Sequence, residues 1–142
     1  MATTVKTSPK EFKTIIRLHK KWLGGKPGGV RANMSGANMS GEDMRDADMR
    51  YANMSGAIMS EGKIKIFCYL GRIYRYYSWA VKFEDGGKWV RMGCLWMSLE
   101  DWDKVGIRNS NPAEFPDDGS KGSRQRVLAF EFAKATLAIA CE

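Results

Sequence analysis

The side chains best suited to chemistry in this chain are cations interleaved with aromatic rings. Between positions 72 and 91 stand Arg72, Tyr74, Tyr76, Lys82, Trp89 and Arg91. Guanidinium and ammonium groups neutralise phosphates, and Tyr or Trp rings offer flat faces on which a base stacks, worth about 1–3 kcal/mol per base. The set points to a ligand that carries both a phosphate and a base. The plain alternative is a solvated sheet face, since long cations also blunt exposed edges. Other chemistry has less to work with. The single histidine, His19, falls on an apolar helical stripe and reads as a packed or capping residue. Cys94 needs a nearby base to act as a nucleophile, and the only histidine lies 75 residues away. Cys68, Cys94 and Cys141 show neither C-x-x-C pairing nor zinc-type spacing, so no metal site is expected. The run Gly24-Gly25-Lys26-Pro27-Gly28-Gly29 follows no strand and is stiffened by Pro27, so it reads as a linker rather than a phosphate loop. The grouped carboxylates Glu84-Asp85, Glu100-Asp101-Asp103 and Asp117-Asp118 fall at a turn, a helix start and a loop, where each has a structural role. No catalytic residue and no cofactor is expected, and the chain reads as non-enzymatic.

The elements that must hold the basic and aromatic residues are strands. Residues 63–70 and 72–84 are rich in Ile, Tyr, Phe and Val, and Asp85-Gly86-Gly87-Lys88 reads as a hairpin turn into a third strand over 89–97. With Gly86-Gly87 as a two-residue turn, Phe83 pairs with Val90, Lys82 with Arg91 and Val81 with Met92. Alternation then sends Tyr77, Trp79, Val81, Phe83, Val90, Met92, Cys94 and Trp96 to one apolar face, broken only by Arg75. Arg72, Tyr74, Tyr76, Lys82, Trp89 and Arg91 go to the other. Ser98-Leu99-Glu100-Asp101 caps a short helix to about Val105, residues 106–122 form a long loop, and Ser123 opens a last helix that is apolar almost all round. Such a helix is buried on several sides or pairs with a second copy of itself.

Length and charge bound the rest. The chain has 142 residues, 44% hydrophobic and 27% charged, within the range of an ordinary globular domain. Its net charge of +7 is uneven: residues 1–31 carry eight Lys or Arg against one acid, residues 32–61 two against five, and residues 62–142 thirteen against ten. A basic balance suggests anionic partners. The longest uncharged apolar stretch, Ala135–Cys141, is too short for a bilayer, which needs roughly 20 residues. No apolar segment follows Lys6 and Lys10 to make a signal peptide, and an odd number of unpaired cysteines fits a reducing cytoplasm.

The first 31 residues read as an amphipathic helix and a glycine-rich linker. Ser8-Pro9-Lys10-Glu11 forms a capping box with proline at the first helical position. Phe12, Ile15, Ile16, His19, Trp22 and Leu23 share one face, and Lys13, Arg17, Lys20 and Lys21 fall around the other. Gly24-Gly25 ends the helix. From Ala32 the chain then runs ANMSG, ANMSG, EDMRD, ADMRY, ANMSG, AIMSE, six units of five with Met34, Met39, Met44, Met49, Met54 and Met59 at their centres. Period five fits neither helix nor strand, so another geometry holds this segment.

These units resemble the pentapeptide-repeat proteins, whose repeat is Ala-(Asp/Asn)-Leu-X-X with Met tolerated for Leu. The resemblance implies a right-handed quadrilateral β-helix of four units per turn. The methionines and Ala32, Ala37, Ala47, Ala52 and Ala57 would point inward, with Asn33, Asn38, Asp43, Asp48 and Asn53 outward near the corners. Glu42 and Ile58 depart from the pattern and mark strain or an end of the coil. Six units make about one and a half turns, and a coil that short needs caps. The helix before it can lay Phe12, Ile15, Ile16 and Trp22 over one end, and the chain after Glu61 covers the other. The lead-in His19-Lys20-Lys21-Trp22-Leu23-Gly24, the Gly93-Cys94 strand and the Ser98-Leu99-Glu100-Asp101 helix start look like those of small phage and prophage members of the family. Long members mimic DNA with an acidic rod; this chain is basic and short.

The sequence therefore predicts a mainly β protein with flanking helices in three parts. These are a capping helix and linker over 1–31, a β-helix stub over 32–61 and an α+β lobe over 62–142. The functional expectation is a cytoplasmic, phage-type, counter-defence protein. It would sequester a phosphate-bearing nucleotide in a basic-aromatic pocket of a homo-oligomer. An inhibitor docking on a host protein is the alternative, and direct nucleic-acid binding ranks third.

Overall fold

A computed structural model describes residues 9–44 and 47–140; Ser8 of the expected capping box, Arg45, Asp46 and Cys141 lie outside them. Over the described residues the molecule is mainly β with three helices. Helix α1 (Pro9–Leu23) leads through the glycine linker into the methionine units. Five antiparallel strands follow in the order of the chain: β1 (Ile58–Met59), β2 (Gly62–Gly71), β3 (Ser78–Phe83), β4 (Lys88–Met92) and β5 (Leu95–Ser98). Helix α2 (Leu99–Val105), a single 3-10 turn and the long helix α3 (Lys121–Ala140) complete the fold.

Four of the five-residue units build the same corner. In each, the Asn or Asp oxygen accepts the N–H two residues on, as Asn33 does from Ser35, Asn38 from Ser40, Asp48 from Arg50 and Asn53 from Ser55. This is the Asx turn that a short polar side chain forms with its own backbone. The methionine carbonyl then accepts from the N–H three residues later, from Met34–Ala37 to Met54–Ala57. Left-handed φ at the third turn residue, 70° at Gly36 and 68° at Gly56, makes these type II turns, which favour glycine there. After 20 residues the chain passes over itself in parallel, bridging Asn33 to Asn53 and Asn38 to Ile58. Met34 and Met39 are 1% exposed and sit inside the resulting coil.

The last unit ends the coil by joining the sheet. Ile58 bridges Asn38 on one side and pairs with Lys63 of β2 on the other. A residue paired on both edges has no use for an Asx corner, and this is where the repeat gives up its Asn or Asp for isoleucine. Glu42 is half-buried, and its N–H still closes the Met39 turn. At the other end Phe12 is buried in the methionine cluster with Ile15 and Ile16 against it. Trp22, expected to cap there too, stays outside at 39% exposure.

The sheet lies between two cores. One face packs Ile64, Trp79, Val81 and Phe83 on the methionines of the coil. The other packs Ala80, Val90 and Met92 on Trp102 of α2 and on Ala129, Phe130, Ala133 and Leu137 of α3. The hairpin departs from the expected register. Trp79 pairs with Arg91, Val81 with Trp89 and Lys82 with Lys88. The Phe83 N–H donates to the Gly87 carbonyl across a three-residue loop in which Gly86 has φ 93°, a turn with a glycine bulge in place of the two-residue turn. Opposed residues shift by three, an odd number, so the faces exchange. The expected strand over 89–97 is also two strands. Gly93 at φ 64° opens a tight turn that pairs Met92 with Leu95. Likewise only Ser78–Phe83 of the expected 72–84 strand is extended, and residues 72–77 form an irregular connection.

Candidate functional site

The exchanged register redistributes the basic and aromatic residues over three places. Arg72, Tyr74 and Tyr76 lie in the connection between β2 and β3, Lys82 is on the helix-packed face of the sheet, and Trp89 and Arg91 are on the coil-packed face. Arg91 is buried, its guanidinium 5.0 Å from the Trp79 ring centre and 5.4 Å from that of Trp96, and it donates to the Gly93 carbonyl. Trp89 stacks at a tilt on Trp96 with ring centres 5.2 Å apart. Tyr74 is buried edge-on to Phe115, and burial pushes its phenol up to about 12. The Tyr76 hydroxyl donates to the Glu114 carboxylate. The single exposed face expected from alternation is therefore not present, and of the six residues Arg72 alone lines a cavity described below.

That cavity opens at the seam between coil and sheet. It measures about 330 Å³ and is lined by Arg50, Tyr69, Gly71, Arg72 and Tyr77. Arg50 comes from a coil corner in the ADMRY unit, and Tyr69 from β2. Gly71, with φ 79°, turns the chain out of β2. Arg72 and Tyr77 start and finish the irregular connection. The Arg50 guanidinium grips Asp48 with two bonds, 3.0 and 2.7 Å. Burial alone would raise the Asp48 carboxyl, but the bonds from the Arg50 side chain and N–H outweigh it and hold the group below the usual carboxylate range. Arg72 donates to the Arg75 carbonyl at 2.6 Å and lies 5.1 Å above the centre of the Tyr77 ring. Tyr69 is pushed well above the ordinary phenol range, first by burial and then by the Asp48 charge. It stays an O–H donor at any physiological pH. The cavity thus offers two guanidinium groups and two ring walls, with the Tyr69 hydroxyl itself buried, at the small end of the roughly 300–1,000 Å³ typical of ligand pockets. Arg50, Tyr69 and Tyr77 escaped the sequence reading because the seam joins segments that no local pattern links. The one trace was Arg50 itself, at a position where most units carry serine.

A second feature is a surface patch beside the first coil turn. Trp22, Val30 and Tyr51 are 39%, 57% and 73% exposed. Arg31 lies over the Trp22 ring and donates to the Tyr51 carbonyl, and Tyr51 meets Trp22 edge-on. Beneath them His19 is fully buried. Its Nδ1 accepts the Ala32 N–H at 2.9 Å, so its Nε2 carries the proton and donates to the Arg50 carbonyl at 2.8 Å. The histidine therefore pins α1 to two levels of the coil. Among the described residues no group of three or more His, Cys, Asp or Glu is placed to hold a metal ion. No helix among them is long and apolar enough to cross a membrane.

The family described as "Pentapeptide repeats (8 copies)" matches residues 30–63. This segment is a pentapeptide-repeat array. Comparison with curated proteins and with solved structures finds no match. The pentapeptide repeats thus account for the coil, β1 and its junction with β2, while most of β2, strands β3 to β5 and the two following helices stand outside the matched segment.

Proposed function

We propose that this is a non-catalytic binding protein that sequesters a phosphate-bearing nucleotide at the seam between its pentapeptide repeats and its sheet. One observation carries the reading: Arg50 and Arg72 converge with Tyr69 and Tyr77 on a single cavity. Guanidinium groups bind phosphate oxygens with paired, charge-assisted hydrogen bonds, and tyrosine rings stack bases. Asp48 neutralises part of the Arg50 charge, so a phosphate gains most from Arg72. The 20-residue return of the repeats, with a corner every five residues, supports a right-handed quadrilateral β-helix as the rigid wall of the site. The resemblance to small phage proteins supports a sponge that acts in a host cytoplasm, where capturing a nucleotide signal would blunt a defence response.

The test is titration of the purified chain with inorganic phosphate, mononucleotides and cyclic dinucleotides, followed by calorimetry and thermal shift. A nucleotide that binds the folded state should raise the melting temperature with the logarithm of its concentration above its dissociation constant. Arg72→Glu should weaken that binding at least tenfold and leave the unliganded melting temperature within a few degrees. A flat response to every nucleotide, or equal affinity in Arg72→Glu, would overturn the assignment.

The alternative reading is an inhibitor that docks on a host protein, and the Trp22–Arg31–Tyr51 patch favours it. Trp, Tyr and Arg dominate interface hot spots, and here they are gathered and exposed. Binding to a protein partner that is lost in Trp22→Ala but kept in Arg72→Glu would select this reading. Direct nucleic-acid binding predicts instead a steep fall in affinity with salt on DNA or RNA.

A further inference from the structure

We propose that α3 is an interface for a second copy of this chain, packed antiparallel against it. The helix buries one side, Ala129, Phe130, Ala133 and Leu137, in its own core. On the other side Leu128, Phe132 and Ile139 are 60%, 49% and 70% exposed. With Ala135, also exposed, they follow one another at intervals of four, three and four. That is the spacing of the seam between two packed helices. Packing within the chain leaves the whole seam open to solvent.

Shape and charge both select a second α3 in the antiparallel sense. With Leu128 set opposite the partner's Ile139, Phe132 falls opposite the partner's Ala135, and the same pairs recur by symmetry. Each large ring then meets a small residue. A parallel pairing would stack Phe132 on Phe132 and leave Ala135 facing Ala135 across a gap. The charges are also arranged for a partner. The first turn of α3 holds no acid and its last turn no base, so the helix does not answer its own dipole. Arg124 lies one turn before Leu128 on the seam side. In the antiparallel pair it reaches about three residues past the partner's Ala140, roughly 4.5 Å at 1.5 Å per residue, beside the carbonyls that end that helix. An isologous pair makes this contact twice. The interface lies on the face of the sheet opposite the seam cavity, so it does not depend on the nucleotide reading.

Sedimentation of the full chain over a range of concentrations tests it. The expected result is a reversible monomer–dimer equilibrium that Phe132→Glu shifts to monomer, with the circular dichroism of the dilute wild type retained. Leu128→Lys serves if Phe132→Glu folds poorly. Direction is read by oxidative cross-linking in a background with Cys68, Cys94 and Cys141 all changed to serine. Leu128→Cys and Ile139→Cys should cross-link when mixed and not when either is alone. A wild type that stays monomeric at every concentration, a dimer that survives both seam variants, or Leu128→Cys linking to itself would each overturn the proposal.

Discussion

Packed against both rings of the Trp79–Trp96 pair, the Arg91 guanidinium works as a structural side chain of the coil-facing core. Its stem and planar head lie buried beside the two tryptophans, and its bond to the Gly93 carbonyl ties β4 to the turn that follows. A carboxylate at this position would be buried against two ring faces that repel it. Arg91→Glu is therefore expected to cost more than about 3 kcal/mol, as removal of a buried, partnered charge does, and chemical denaturation would show it. A variant as stable as the wild type would mean that the side chain is not enclosed. Gly29 makes the same kind of argument without charge. A Cβ there would stand 2.4 Å from the Trp22 nitrogen and 2.6 Å from its Cα, because the linker runs back along α1 with Val30 bonded to the Leu18 carbonyl. Backbone cannot swing aside as a side-chain tip can. Gly29→Ala should cost about 1–3 kcal/mol, typical of forced overpacking, whereas Gly25→Ala meets nothing within 4 Å and suffers only its φ of 65°. Measured side by side, the two melting temperatures separate steric approach from backbone strain.

At the scale of elements, the turns of the coil explain one another. Four described corners place a left-handed residue after the methionine: glycine at positions 36, 41 and 56, and Tyr51 at φ 61°. A side chain in that region costs about 1–2 kcal/mol, and Tyr51 is the only non-glycine residue to do so among those described. Its ring meets Trp22 in the exposed patch, so the strained corner holds an aromatic side chain where a docking surface would use one. Tyr51→Gly should leave the melting temperature equal or higher and abolish binding to a protein partner, if the patch docks one. A marked loss of stability would assign the ring to holding α1 instead. The repeat was legible because a local device, Asx turn plus type II turn, recurs every five residues and leaves its mark on each unit. The α2 start was legible for the same reason, since the Ser98 hydroxyl accepts from the Asp101 N–H just three residues away. The hairpin register was not. A single glycine decides between a two- and a three-residue loop, and the odd shift that follows sent Lys82 to the face opposite Arg91 and Trp89. The candidate site was legible only at Arg72, because the other residues of the cavity come from separate segments joined by the fold.

For the molecule as a whole, the methionine coil and the sheet do not have separate interiors. Met34, Met39, Met44, Met49 and Met54 share one buried cluster with Ile64, Trp79, Val81 and Phe83. A coil of one and a half turns leaves most of its rungs without a neighbour on one side, and stacking is what stabilises such folds. The sheet supplies the missing surface through β1, which belongs to the coil by its bridge to Asn38 and to the sheet by its pairing with Lys63. Neither part then has a reason to persist once the other opens. Thermal unfolding should be a single transition, with far-ultraviolet circular dichroism and tryptophan fluorescence coincident, because Trp79, Trp89 and Trp96 report from the junction itself. Met44, 2% exposed, gives the sharper form of the test. Its truncation to alanine should cost about 2–5 kcal/mol and move both signals together, although the residue lies in the coil and three of the five tryptophans, Trp79, Trp89 and Trp96, lie in the sheet. Should Met44→Ala instead split the transition, with the tryptophan signal left at its wild-type midpoint, the sheet would be shown to stand without the coil, and the seam cavity would open before the protein unfolds.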